Sequence, residues 1–282
     1  YTSFNQSSTG NIVNNGSIIS NVVGQTTNIQ PNAFTNNGTL SLTAGALNVA
    51  PATTWSNGNT GIINASAGTL TLNGTNLSNT GALNLSGGTI LNLAGNTTAA
   101  TLGTLTRQAN TGAGTGASIN ITGNFTNTGQ TLDIGSAGIF KSGGLSSITN
   151  GTIIGGTLVS NDGTALNLLG TGFFDTGTIG SNLTTTGNTF RLLNGLTLAP
   201  GITVNKGNTQ WGFDSAGAVA LNTSSGSASI VSAGGNIFAG FGAANTLTIG
   251  SGITISGYTS FNQSSTGNIV NNGSIISNVV GQ

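Results

Sequence analysis

The chain has 282 residues and is 3% charged, with four bases balanced by four acids and no net charge, where ordinary soluble domains are roughly 25% charged. Without a basic excess, neither counterion release onto nucleic acid nor a polybasic membrane footprint can drive binding. Cys, Met and His are absent, which excludes disulfides, thiolate metal sites and a thiol nucleophile. No apolar run approaches the roughly 18 residues of a membrane span. A hydrophobic share of 35%, regularly spaced, separates the chain from disordered sequences, which combine high net charge with few β-branched residues.

Residues 1–25 (YTSFNQSSTGNIVNNGSIISNVVGQ) return letter for letter as 258–282. This reads as one complete repeat unit, 1–257, followed by the start of an identical one at 258–282, and hence as a window on a tandem array. Tyr1 carries no leader, so an export signal is expected outside these residues.

Along the chain, short alternating stretches follow one another: Leu40-Ser41-Leu42, Leu70-Thr71-Leu72, Leu83-Asn84-Leu85, Ile119-Asn120-Ile121, Leu132-Asp133-Ile134, Leu196-Thr197-Leu198, Leu247-Thr248-Ile249 and Ile253-Thr254-Ile255. Period-two alternation puts Leu and Ile on one face and Thr, Ser or Asn on the other, as in half-buried strands. Helix should be nearly absent. Asn15-Gly16, Asn37-Gly38, Asn57-Gly58 and Asn79-Thr80-Gly81 succeed one another at 22, 20 and 22 residues, as turns that tolerate positive φ. A turn returning every 20–22 residues is the rhythm of a parallel β-helix, with roughly twelve coils per unit. Residues 99–117 and 205–217 break the rhythm and are expected to be loops bulging from a coil, or the places where register is reset; they hold Arg107 and Trp211. No linker or charge run interrupts one continuous solenoid.

In such a stack like residues sit above like at about 4.8 Å. Charges would repel there, whereas Asn, Thr and Ser can hydrogen-bond along the ladder. Scarce charge therefore needs no ligand to explain it. With unit joined to unit at Gly257-Tyr258, each unit is expected to cap the next, in place of the polar caps that solenoid ends require.

Catalytic chemistry finds little material. Phe173-Phe174-Asp175-Thr176-Gly177 matches the core of the aspartic-protease motif, but that chemistry needs two carboxylates sharing a proton and Asp-Thr-Gly occurs once. Asp175 reads as a replacement for Asn in an Asn-Thr-Gly turn. A glycosidase needs a carboxylate pair; Asp162 and Asp175 are the candidates for neighbouring coils, although Asn161-Asp162-Gly163 is itself a turn sequence. The Gly-Gly-x-Gly-x-Asp repeat of calcium β-rolls has no copy here, and the carboxylates are too few for such a site. No enzyme, cofactor, metal or catalytic residue is therefore expected. The sequons at Asn15, Asn37, Asn73, Asn124 and Asn150 arise by composition. Thr-x-Thr pairs do not form the single regular array of an ice-binding face. Phe173, Phe174, Phe190, Trp211, Phe213, Phe238 and Phe241 could form a glycan platform, but isolated aromatics in a solenoid more often stack in the core.

Gly151-Thr152-Ile153-Ile154-Gly155-Gly156-Thr157-Leu158, Asn36-Asn37-Gly38-Thr39-Leu40 and Leu198-Ala199-Pro200-Gly201-Ile202-Thr203-Val204 resemble the repeats of giant bacterial surface proteins of the filamentous-haemagglutinin-like and autotransporter adhesin type. The resemblance implies a right-handed parallel β-helix, export to the cell surface, and a role as fibre or adhesin. The near-absence of charge and the exact long period depart from that type toward a polymeric fibre. The expectation is an extracellular structural fibre whose partner is itself, head to tail along tandem units and side by side between fibres. The alternative is a surface adhesin, or its stalk, that binds glycans or a host surface.

Overall fold

The alternating stretches form parallel strands in a computed structural model that describes residues 2–5, 9–108, 116–263 and 266–278. The fold is all-β, 62% strand and 2% helix, built of parallel stacked coils as a β-solenoid with about twelve turns in total. It forms two compact units. One draws on residues up to Thr126 and on Ser136–Ser146; the other draws on Asn127–Gly135 and on Ser147 onward.

In the first unit each coil offers three faces. One is a four-stranded parallel sheet of Asn11–Asn14, Ala33–Asn36, Thr54–Asn57 and Leu77–Asn79, in which Ile12, Phe34, Trp55 and Leu77 stand in register. The second aligns Ile18, Leu40, Ile63, Leu83 and Leu105. The third aligns Ile29, Val49, Leu72, Leu93 and Ile121. All three columns face the interior and are buried from the second coil upward. Each such side chain contributes about 1.5–3 kcal/mol of hydrophobic stabilisation.

At the corner between the first two faces, Asn14, Asn36, Asn57 and Asn79 are buried one above another. Their amides bond head to tail: Asn14 Nδ2 donates to Asn36 Oδ1 at 2.7 Å, Asn36 to Asn57 at 2.7 Å and Asn57 to Asn79 at 2.8 Å, with separations of 22, 21 and 22 residues. Asn79 Nδ2 closes the series on Leu102 O at 2.8 Å. A buried amide left unpaired would cost its full desolvation penalty, so the ladder fixes how each coil sits on the next.

The Asn-Gly turns follow a different physical rule from the one their sequence suggests. Gly16, Gly38, Gly58 and Gly81 do not have positive φ. The corners stack so closely that a Cβ on Gly38 would lie 2.1 Å from Gly16 O. Glycine is required there for backbone approach rather than for a left-handed turn.

The break at 99–117 is only partly loop. Thr98 caps a short helix, Ala99–Leu102, and Leu105–Arg107 returns to the stack beside Leu83–Leu85. The coil lengthens to 28 residues there, measured from Asn92 to Asn120; residues 109–115 lie outside the described set.

In the second unit strands run through the corners, as in Leu166–Ile179, Leu183–Leu198, Ala228–Ala239 and Ile253–Gln263. The expectation of a loop over 205–217 is corrected, since Thr203–Gly207 and Gln210–Phe213 are strands; the alternative of a register reset holds, with a shift between Asn205 and Gly207 against Ala228–Ala239. Trp211 is buried in register between Phe190 and Ile237. Phe174 and Phe190 stack at 6.2 Å, and Phe190 meets Trp211 edge-on at 6.0 Å, so aromatic volume fills this stretch of the core.

Replacing Asn57 with Leu strands the Asn36 amide donor and the Asn79 carbonyl acceptor inside the corner. Chemical denaturation should show a loss of about 2–4 kcal/mol. Asn84→Ser, in the solvent-facing ladder with Asn64, should cost under about 1 kcal/mol.

Candidate functional site

The eight charged side chains are dispersed among structural duties. Arg107 donates from Nε to Ala117 O at 2.7 Å and from Nη1 to Phe140 O at 3.2 Å and Gly144 O, with Nη2 on Ser146 Oγ at 3.2 Å. It supplies donors to carbonyls of an irregular stretch that lacks a regular ladder. Burial lowers its pKa from the ordinary arginine value. Lys141 is exposed at a turn with φ 59°.

Asp133 accepts from Gly135 N at 2.8 Å and from Asn161 Nδ2 at 2.8 Å. Asp162 accepts from Thr164 N and Oγ1 at 3.0 and 2.7 Å. A Cβ on Gly135 would lie 2.4 Å from an Asp162 oxygen and 3.1 Å from an Asp133 oxygen. Asp133 and Asp162 thus approach one another, while Asp175 stands in register beside Ile154. Asp175 instead accepts from Thr176 Oγ1 at 2.8 Å and from Asn194 Nδ2 at 2.6 Å, in the turn role its Asn-like sequence suggests. Among the described residues no three His, Cys, Asp or Glu gather as metal ligands, and no helix is long and apolar enough to cross a membrane.

Arg191 pairs with Asp214 and lies between two aromatic faces, 5.3 Å from the centroid of Phe173 and 4.9 Å from that of Phe241. Phe241 leans into the space left by Gly212, where a Cβ would meet its ring at 2.9 Å. Of the seven aromatics considered as a platform, Phe174, Phe190, Trp211 and Phe213 are core. Phe173, Phe238 and Phe241 stay half-buried at the surface, and Arg191 lies over Phe173 and Phe241. In the first unit a shallow uncharged groove of about 520 Å³ runs past Ser56, Thr75, Asn96, Thr98 and Thr101.

Lys206 follows Val204 by two in a strand, so alternation turns it inward, and it is fully buried. Its ammonium donates to Gly234 O at 2.6 Å and Ser232 Oγ at 3.4 Å. Burial lowers its pKa from 10.5 to about 8.

The arrangement with the most specific chemistry is the duplicated segment itself. Its two copies meet different neighbours. In the first, Asn14 Nδ2 donates to Asn36 Oδ1 and Thr39 O, Ile18 lies beside Leu40 and is 9% exposed, and Ser20 Oγ donates to Ala46 O at 2.9 Å. All three are covered by the coil of residues 33–49. The same residues in the second copy, Asn271, Ile275 and Ser277, are exposed, Ile275 by 44%.

The opposite edge shows the reverse pattern. In the second copy Gly267–Asn271 pairs with Asn245–Ile249 and Ser274–Ile276 pairs with residues 254–256. A Cβ on Gly273 would lie 2.4 Å from Ile253 O, whereas at Gly16, the same residue in the first copy, it would meet nothing within 4 Å. Each copy therefore carries residues whose necessity appears only in the environment of the other. Together the two copies define a coil sandwiched on both edges.

No protein family, curated protein or solved structure matches this chain.

Lys206 gives a pH test. The folded state holds the amine at a lower pKa than the unfolded chain does, so the unfolded state binds more protons between about pH 8 and 10.5 and stability rises with pH across that window. Unfolding free energy should increase by about 2–4 kcal/mol from pH 8 to 10.5. Lys206→Met should remove that rise and be the more stable protein at pH 7.

Proposed function

We propose that the chain is a structural fibre protein of the cell exterior, built of tandem β-solenoid units and mechanical in its action. The observation that carries this reading is the pair of edges on the duplicated coil. Gly273 makes below the contact for which Gly16 is suited, and Asn14 and Ile18 make above the contacts for which Asn271 and Ile275 are suited. A sequence serving both edges belongs between two units. Parallel backbone ladders and the buried Asn series run from coil to coil, so tension along the axis loads many hydrogen bonds together. The neutral chain lacks the repulsion that keeps highly charged surfaces apart, which supports side-by-side association of fibres into a sheath or bundle. The absence of Cys suits an exported fibre that folds without oxidation.

The adhesin reading uses the groove of the first unit, whose walls are mostly apolar surface with hydroxyls and amides set among it, as a place for a neutral glycan. Binding on a glycan array that is lost on Thr98→Val and Thr101→Val would favour it over a purely mechanical role.

Filaments recovered from the cell surface should give a meridional spacing of about 4.8 Å along the axis. They should also give a longer axial period of about 60 Å, from about twelve coils per 257-residue unit. Filaments lacking the short spacing, or chain found only inside cells, would overturn the proposal.

A further inference from the structure

We infer that Asn73 is a site of spontaneous covalent modification, at which the Gly74 backbone nitrogen closes on the Asn73 side chain and converts it to aspartate and isoaspartate. The inference goes beyond the fibre reading and depends only on the geometry of coils within the first unit.

Seven Asn-Gly pairs occur in the chain, at Asn15, Asn37, Asn57, Asn73, Asn150, Asn194 and Asn272. Glycine has no Cβ to keep its nitrogen away from the preceding side chain, so sequence alone gives all seven the same chemistry. The fold separates them. In six, one partner of the reaction is already engaged. Gly16 and Gly273 donate their amides to Asn14 Oδ1 and Asn271 Oδ1 at 3.2 and 3.1 Å. Gly38 and Gly58 donate theirs to Asn14 O and Asn36 O at 2.9 Å. Asn150 Oδ1 accepts from Thr171 N at 3.1 Å, and Asn194 Nδ2 donates to Asp175 Oδ1 at 2.6 Å. Asn57 is the most firmly held, buried with its amide donating to Gly61 O, Asn79 Oδ1 and Ala82 O.

Asn73 differs in both partners. It is exposed, and among the described residues neither its side-chain amide nor the Gly74 N–H has a hydrogen-bond partner. Both residues line an open depression of about 270 Å³ beside Pro51, Thr75 and Asn124, which admits water. Ring closure makes a bond from Gly74 N to Asn73 Cγ and breaks the Cγ–Nδ2 bond. The Gly74 amide proton leaves with that nitrogen as ammonia. Solvent water then opens the cyclic imide at either carbonyl, leaving aspartate or, with the backbone rerouted through the side chain, isoaspartate.

The product is tolerated where it forms. Register places Ala50 and Ala94 at the same position of the coils on either side, so the new carboxylate has no like charge at the coil spacing of about 4.8 Å. At Asn57 the same change would set a carboxylate against Asn79 Oδ1 inside the buried series.

The folded chain, kept in mildly alkaline buffer at physiological temperature and mapped by peptide mass spectrometry, tests this. Asn73 should convert at least about tenfold faster than Asn37 or Asn57, each of which must first break two or more hydrogen bonds. In denaturant the three rates should converge. Isoaspartate should accompany aspartate, since the cyclic imide opens both ways. In Gly74→Ala the added Cβ meets nothing nearer than Trp55 Cβ at 3.6 Å, so the fold accepts it, while it crowds the attacking nitrogen and should slow conversion several-fold.

Equal rates at Asn73 and Asn57 in the folded chain, aspartate without isoaspartate, or an unchanged rate in Gly74→Ala would each overturn the inference. If Gly74→Ala loses its β circular-dichroism signal, the comparison of folded with denatured parent chain decides by itself.

Discussion

Everything in this fold depends on stacking one backbone on another at about 4.8 Å, in register, coil after coil. That spacing allows only side chains that tolerate copies of themselves. Leu, Ile and Val do so by packing into columns such as Ile18, Leu40, Ile63, Leu83 and Leu105. Asn does so by handing a hydrogen bond upward, as from Asn14 to Asn79. Glycine does so at corners where carbonyls come too close for a Cβ. Carboxylates and ammonium groups do not, and apart from the exposed Lys141 the few charged groups present stand against amides, hydroxyls, backbone carbonyls or an opposite charge. The 3% charge is a consequence of the architecture.

The duplicated coil turns this constraint into a statement about assembly. Each copy carries what an edge covered by another coil needs: Asn271 stands in position to continue the Asn series, Ile275 to continue the column, and Gly16 leaves room for a close carbonyl. Local sequence, local packing and the long repeat agree with one another, as they do in sequences that specify a single structure.

The strands and core columns were legible in the sequence because alternation at period two survives in Leu40-Ser41-Leu42 and its successors. The return of the turns fixed the coil length. Half of the buried Asn series lay in the turn signal itself, at Asn57 and Asn79; the other half was hidden, because the signal drew attention to Asn15 and Asn37 while the structural residues are Asn14 and Asn36, one position earlier. Trp211 looked like part of a loop because Gly and Asn surround Gln210–Phe213 and mask the alternation of Trp211 and Phe213. Lys206 could have been found by counting two on from Val204. The approach of Asp133 to Asp162 could not, since it depends on a coil that departs from the regular length, with Asp133 and Asn161 separated by 28 residues.

The mass of the native polypeptide under denaturing conditions tests the tandem-unit fibre most directly. A chain many times 27.5 kDa is the expected result, since the duplicated coil then lies between units along one covalent chain. A polypeptide close to 27.5 kDa would contradict covalent tandem units, and continuity along a fibre would then have to come from contacts between separate chains.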